Sequence, residues 1–255
     1  MESLDRARTE ADERAFFARY YAEQRYHPAG WRLRMQRDLR VLREASGARG
    51  PGRVLSIGCG DGAFELLLAE HAESVLAVDL SPEAIAVAQR AQALSGVRNV
   101  EFRCMSFRDL PWQERFDTIV CLAFLHHVSE PELPGFLRAC HDHLVPGGLF
   151  FSQDPNVNGV LRAIGRVVMG KGYDKYHSQG ERELDPNELA GQLHDAGLAE
   201  ITVRHVDLTL IPICYVIRRG PAFPIRVLSW LDRLWCASPL ARWSSGFAAW
   251  GRRAS

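Results

Sequence analysis

The chain has 255 residues, with 31 lysines and arginines against 31 aspartates and glutamates, a formal net charge of +0. That length holds one large α/β domain with additions, or two small domains, and is ample for a sizeable core. The balanced charge speaks against nucleic acid as the partner, since phosphate binding draws on a basic excess.

Residues 1–46 read as an N-terminal helical cap. In WRLRMQRDLRVLREA, Trp31, Met35, Leu39 and Leu42 recur at helical spacing, with Arg32, Arg37, Arg40 and Arg43 largely on the solvated side. Tyr20, Tyr21 and Tyr26 precede it as packing residues. Gly47, Gly50, Pro51 and Gly52 end the helix. VLSI, Val54–Ile57, is a short buried strand running into a glycine loop, and Ala63–Ala69 is the helix that follows. SVLAVDL, Ser74–Leu80, is the second strand. Ser81 then serves as an N-cap with Pro82 in the first turn. NVEFRCM and FDTIVCLAF are the third and fourth strands. Ser129 and Glu132 have capping-box spacing for a helix ending near Leu144. Pro146-Gly147-Gly148 turns the chain into a fifth strand, GLFFSQ. A second capping box, Asp185 to Glu188, opens ELAGQLHDAGL, and a sixth strand follows over Ile201–Val206.

Two stretches interrupt the alternation. Residues 154–183 form a long insertion carrying Asn156, Lys171, Tyr173, Tyr176 and His177, of a length typical of lids and binding segments. From Ile217 onward the tail holds Arg218, Arg219, Arg226, Arg233, Arg242, Arg252 and Arg253 against the single acid Asp232, with Trp230, Trp235, Trp243 and Trp250. Its IRVLSWLDRLW segment sets Val227, Leu228, Leu231, Leu234 and Trp235 on one helical face, with Arg226, Ser229 and Arg233 opposite. A basic, Trp-bearing helix of this kind lies on a membrane surface or packs on the domain beside the ligand pocket. The packed arrangement is the one favoured here. SSGFAAWG is a last, antiparallel strand. Strands alternating with helices predict a mostly parallel sheet covered on both faces, with its ligand at the carboxyl ends of the strands.

No uninterrupted apolar run approaches the ~18 residues of a spanning helix. Met1 to Gly30 lacks the apolar core of a signal peptide. Cys59, Cys104, Cys121, Cys140, Cys214 and Cys236 are scattered with no C-x-x-C pair, as expected of small buried hydrophobes in a reducing compartment, and no metal-ligand set is recognised. These features predict a soluble, cytoplasmic protein.

The glycine loop lacks the Gly-Lys-Ser/Thr of a nucleoside-triphosphate loop, because Ala63 and Phe64 follow Gly62. Gly58, Gly60 and Ala63 satisfy the dinucleotide pattern G-x-G-x-x-A, while Gly58, Gly60 and Gly62 give G-x-G-x-G. Asp79, about twenty residues on, suits ribose hydroxyls in either case. The loop alone leaves both open. An NAD(P)-dependent oxidoreductase would want Tyr-x-x-x-Lys, and Tyr173-Asp174-Lys175 has the wrong spacing.

Taken together, VLSIGCGDG, VLAVDLSPEAI, FDTIVCLAFLHHV, LVPGGLFF and ELAGQLHDAGL resemble the class I S-adenosylmethionine-dependent methyltransferases, over roughly Val54 to Val206. The resemblance implies an α/β, Rossmann-like sheet of seven strands, mostly parallel with an antiparallel last strand. An N-terminal helical cap over 1–46 would precede the methyltransferase domain over 47–255, with insertions at about 154–183 and a helical one at 217–243. It also implies S-adenosyl-L-methionine as cofactor, with Gly58, Cys59 and Gly60 along its methionyl part and Asp79 on its ribose. Leu80 and Met105 would sandwich the adenine, with Phe107 nearby and Ser106 at its amino group. Cys121 and Leu122 would lie close to the sulfonium.

Members of the family commonly carry acids at the positions of Ser56 and Ser106. A serine gives up the charge-assisted hydrogen bond, which predicts a weaker cofactor site and motivates the alternative of a non-catalytic binding protein. For the chemistry, His126 and His177 are the candidate general bases, the first after strand four and the second in the insertion. The expected reaction is O-methylation of a small hydrophobic or amphipathic, lipid-like acceptor. A nucleic-acid methyltransferase would want Asn/Asp-Pro-Pro-Tyr/Phe after strand four, which is missing.

Overall fold

A computed structural model describes residues 10–17, 27–110, 113–169, 181–217 and 219–254. Residues 10–17 form a short helix, α1. Then come α2 (Pro28–Ser46), β1 (Arg53–Ile57), α3 (Ala63–Leu68), β2 (Ser74–Asp79), α4 (Pro82–Ser95), β3 (Val100–Cys104) and β4 (Phe116–Leu122). The second half holds α5 (Leu133–His143), β5 (Leu144–Pro155), α6 (Val160–Met169), α7 (Pro186–Asp195), β6 (Leu198–Asp207), α8 (Leu210–Val216), α9 (Ala222–Cys236) and β7 (Gly246–Arg253).

The seven strands make one sheet in the order β3-β2-β1-β4-β5-β7-β6. Strands β1 to β5 pair in parallel, and β7 runs antiparallel between β5 and β6. The chain winds outward from β1 through β2 to β3, then restarts at β4 beside β1. The crevice for a ligand therefore opens at the carboxyl ends of β1 and β4. Because helices cover both faces, burial along the central strands is continuous and not alternating: β1 buries Val54, Leu55, Ser56 and Ile57 in succession. One apolar layer joins β1, β4 and β5 to α5 and α7 through Ile57, Ile119, Leu137, Phe150 and Leu193. The other joins the sheet to α2, α3 and α4 through Met35, Leu42, Phe64, Leu68 and Ile85. Helix α2 thus shares the sheet's own core.

Local signals account for most boundaries. Ser81 accepts from the Ala84 N–H at 3.2 Å with Pro82 at the first helical position, and Asp185 accepts from Asn187 and Glu188. The Ser129–Glu132 pair behaves differently. Their side chains bond each other at 2.6 Å, but α5 starts only at Leu133, with Glu132 as its cap. Strand β5 begins at Leu144, ahead of Pro146-Gly147-Gly148. A register shift against β4 absorbs those residues as an irregularity inside the strand.

Two expectations need correction. Cys104 is exposed and Cys236 intermediate, while Cys59, Cys121, Cys140 and Cys214 are buried. Cys104 ends an outer strand of the sheet, where the apolar pattern no longer implies cover. Helix α9 does pack on the domain, against α2 and α8, but through Ile225, Asp232 and Leu228. The lone acid Asp232 turns inward and accepts from the N–H groups of Thr209 and Leu210 at the start of α8, both at 2.9 Å. Phe223, Val227, Trp230, Leu231 and Leu234 consequently face outward. No described helix is long and apolar enough to cross a membrane.

Candidate active site

A cleft lies at the carboxyl ends of β1 to β4. Ile57, Gly58, Cys59 and Gly60 line it from β1, with Asp79 and Leu80 from β2 and Met105, Ser106 and Phe107 after β3. Leu122, Ala123 and Phe124 contribute after β4, beside His126 and His127. The cap adds Glu13, Phe16 and Phe17 from α1, and Trp31, Arg34 and Met35 from α2.

The glycine loop is shaped by backbone. The Gly58 and Cys59 N–H groups both donate to the Val78 carbonyl, at 2.8 and 3.0 Å, which ties the loop to the end of β2. Gly58 has φ +76, and a Cβ there would sit 2.5 Å from the Phe124 ring, so only glycine fits. Asp79 Oδ2 accepts from the Gly60 N–H at 2.8 Å and Oδ1 from the Ser81 N–H at 2.9 Å. Burial raises the Asp79 carboxyl above its ordinary range, against the lowering effect of those hydrogen bonds.

The charge of this loop discriminates between ligands. A pyrophosphate needs free N–H groups and positive potential at a helix N-terminus. Here Asp61 accepts from the Ala63 N–H, putting a carboxylate where an anion would dock, and Asp61, Glu65 and Asp79 all line the cleft. Asp61 opposes a dinucleotide's phosphates there, and a cation brought beside Glu65 or Asp79 would favour their charged forms, so the loop suits a cationic ligand. A sulfonium and an ammonium supply that charge.

Both serine positions meet a glutamate from another element. Ser56 Oγ donates to Glu65 Oε1 at 2.6 Å, and Ser106 Oγ donates to Glu10 Oε1 at 2.9 Å. Glu10 also pairs with Arg108 at 3.0 Å, and Arg108 forks onto Glu132 at 2.7 and 2.8 Å. The acids absent from the strand ends therefore arrive from α3 and α1.

Opposite the loop, His126 is buried between two carboxylates. Its Nδ1–H donates to Asp154 Oδ1 at 3.0 Å, and Nε2 stands 3.6 Å from Glu181 Oε1. The His127 ring lies 4.1 Å from the His126 ring and meets Phe17 edge-on at 5.4 Å. Glu13 faces His127 Nδ1 at 3.9 Å, and burial raises its carboxyl to about 7. Donor atoms of His126, His127 and Glu181 lie within 4.8 Å of one another, which is metal-ligand spacing that the sequence reading did not recognise. Ala123, with φ +52, turns the chain from β4 into this cluster, a conformation that non-glycine residues adopt mainly where surroundings enforce it.

Of the candidate residues, Gly58, Cys59, Gly60, Asp79, Leu80, Met105, Ser106, Phe107 and His126 all line the cleft. Cys121 does not. It is fully buried in the layer beneath β4, and strand alternation presents its neighbour Leu122 instead. His177 lies outside the described residues, with Lys171, Tyr173, Tyr176, Tyr20, Tyr21 and Tyr26. The sequence reading missed Glu65, Asp154 and Glu181. Glu65 carried a readable signal, a charge flanked in a short helix by the core residues Phe64 and Leu68. Asp154 carried another, an acid directly after an apolar strand, at the sheet end where ligands bind.

Residues 54–148 match a family described as a methyltransferase domain. The chain is 35% identical over 153 residues to the ubiquinone biosynthesis O-methyltransferase of Xanthomonas euvesicatoria pv. vesicatoria, covering 57% of this chain and 62% of that one. It is 33% identical over 156 residues to the protein of that name from Idiomarina loihiensis, covering 59% and 63%. The chain thus spans about three fifths of the length of these curated relatives. Among solved structures, the DhpI–SAH complex is similar with a TM-score of 0.54 at 20% identity, covering 86% of this chain and 83% of that one. The N-methyltransferase NodS from Bradyrhizobium japonicum WM9, solved with S-adenosyl-L-homocysteine, gives 0.55 at 19% identity, covering 90% and 89%. At those identities the likeness is one of fold.

Proposed function

We propose that the chain is a class I S-adenosylmethionine-dependent methyltransferase, as the match over residues 54–148 and the likeness to O-methyltransferases support, and that it methylates a hydroxyl group on a small, apolar or amphipathic aromatic acceptor. The observation that carries this reading is the Asp154–His126 pair. Asp154 holds Nδ1 of the ring, so Nε2, 3.6 Å from Glu181 Oε1, is the ring atom left to take up a proton beside the cleft. S-adenosylmethionine, when bound, supplies the methyl group on an already activated sulfonium. The residues then have two tasks, to align the acceptor oxygen and to receive its proton. His126 receives it, and Phe16, Phe17 and Phe124 shield the site from water and offer rings to an aromatic acceptor. The acceptor class rests on this lining and on the names of the relatives, which act in ubiquinone biosynthesis.

The same cluster supports a second reading, in which His126, His127 and Glu181 hold a divalent cation that acidifies the acceptor hydroxyl. One assay tests both. Purified protein with radiolabelled S-adenosylmethionine and a panel of catechols and alkyl phenols should give labelled, extractable ether products. Turnover that survives a chelator keeps His126 as the base, and turnover lost to the chelator and restored by magnesium or zinc moves the role to the metal. A full panel without product removes O-methylation of this class.

Glu13, Phe16 and Phe17 of the cap and Glu181 form the acceptor side in this reading, and the cytoplasm is the proposed compartment, supported by six unpaired cysteines. Peripheral membrane contact is part of it too. Ile164, Val167 and Val168 on α6, Trp243, and Trp230 and Leu234 on α9 are exposed. Exposed Arg226, Arg233 and Arg242 accompany them. An apolar surface with arginines suits an anionic bilayer. In flotation with phosphatidylglycerol vesicles, wild type should rise with the lipid, and a Val167→Asp/Trp230→Asp variant should stay at the bottom. Wild type that does not float ends the membrane reading.

A further inference from the structure

Glu65 is the most completely enclosed acid of the cleft. The residue is 2% exposed, yet it lines the cleft beside Gly58, Cys59 and Gly60. Its Oε1 takes the Ser56 hydroxyl at 2.6 Å, and its Oε2 is buried with no hydrogen-bond partner. The charged groups acting on it, Asp61 and Asp79, are both acids. Desolvation by burial raises its carboxyl to about 8, against the lowering effect of the Ser56 hydrogen bond, and a cation placed beside Oε2 would favour the charged form. A buried carboxylate oxygen without a donor is rare in native proteins and asks for a reason. A purely structural role does not supply one, because an apolar side chain of that size would fill the space without an orphaned polar atom.

We propose that Glu65 recognises the ammonium group at the amino-acid end of the cofactor, accepting through Oε2 while Ser56 fixes Oε1. This rests on the methyltransferase reading, which supplies a ligand carrying an α-amino group. It assigns the amino-acid end of the ligand to the start of α3, and it makes the Ser56–Glu65 contact a positioning device: the hydroxyl orients the carboxyl and leaves one oxygen for the ligand. The cofactor site is then not weakened by Ser56, because the carboxylate reaches the same region from the helix.

Calorimetry on the full chain tests this with three probes: S-adenosylhomocysteine, its desamino analogue, and 5′-methylthioadenosine, which lacks the amino-acid end. Wild type should prefer S-adenosylhomocysteine over the desamino analogue by about 10- to 150-fold, the span of a hydrogen bond to a charged group. Glu65→Gln should erase that preference and leave 5′-methylthioadenosine binding within about two-fold, since no interaction with its atoms is lost. Moving the carboxyl across the 2.6 Å contact, as Ser56→Asp/Glu65→Ala, should restore most of the preference. The proposal is overturned if Glu65→Gln keeps the preference for the amino compound. It is equally overturned if that variant weakens all three probes alike. Wild type that binds none of the probes refutes the cofactor reading itself, a result distinct from both.

Discussion

Asp79→Ala is expected to weaken S-adenosylhomocysteine binding by about 10²- to 10⁴-fold, the loss of two hydrogen bonds to a charged group at ~1.5–3 kcal/mol each. Asp79 stands at the end of β2 with each oxygen already accepting one backbone N–H, from Gly60 and from Ser81. A carboxylate has further lone pairs, and these remain for a pair of ribose hydroxyls. In the proposed cofactor site the substitution removes the ribose contacts, and it releases the Gly60 N–H, so the loop loses one of the bonds that hold it against β2. Thermal stability should change less than binding. The freed N–H groups destabilise, but the carboxyl is raised by burial, and deleting it relieves that desolvation. Titration calorimetry with a parallel melting curve separates the two effects. Binding within a few-fold of wild type would show that the ribose is held elsewhere. Asp79→Asn is the sharper control: it keeps the shape but cannot accept from both backbone donors with both side-chain atoms.

His126→Ala should lower kcat by about 10²- to 10⁴-fold, the usual contribution of a positioned general base, while cofactor affinity stays within a few-fold. The ring is 5% exposed and is fixed from behind by Asp154, whose Oδ1 also faces the His126 backbone N–H at 3.3 Å. Asp154→Asn is the companion variant. Its amide carries the same volume but can present a donor to Nδ1, which favours the tautomer with the proton on Nε2, the wrong one for a base. Its kcat should fall with KM for the acceptor nearly unchanged, which steady-state kinetics reads. If His126→Ala keeps more than about a tenth of wild-type kcat, the acceptor ionises without this residue, and alignment alone carries the rate.

The fold was legible because its signals are local and repeated. Strand–helix alternation, the glycine loop after Ile57, the caps at Ser81 and Asp185 and the apolar run of β5 each depend on a few neighbouring residues. Errors fell where a residue's role depends on what lies beside it. Leu144 joins β5 because Phe116 pairs with it, and no local signal at Pro146-Gly147-Gly148 reveals that. Cys121 and Leu122 differ only in which side of β4 they face, and the choice between them needs the register of the whole sheet.

By itself, then, the sequence determined the sheet class, the loop at its switch point, Asp79 at the end of β2 and the candidate base His126. Those follow from spacing along the chain. Only the tertiary structure decided the charge of the site. It brought Glu65 to Ser56, Glu10 to Ser106, and Asp154 and Glu181 to His126. Electrostatic interaction depends on separation in space and on burial, and residues 9 to 96 positions apart in the chain become neighbours only when the sheet and its helices close around the cleft.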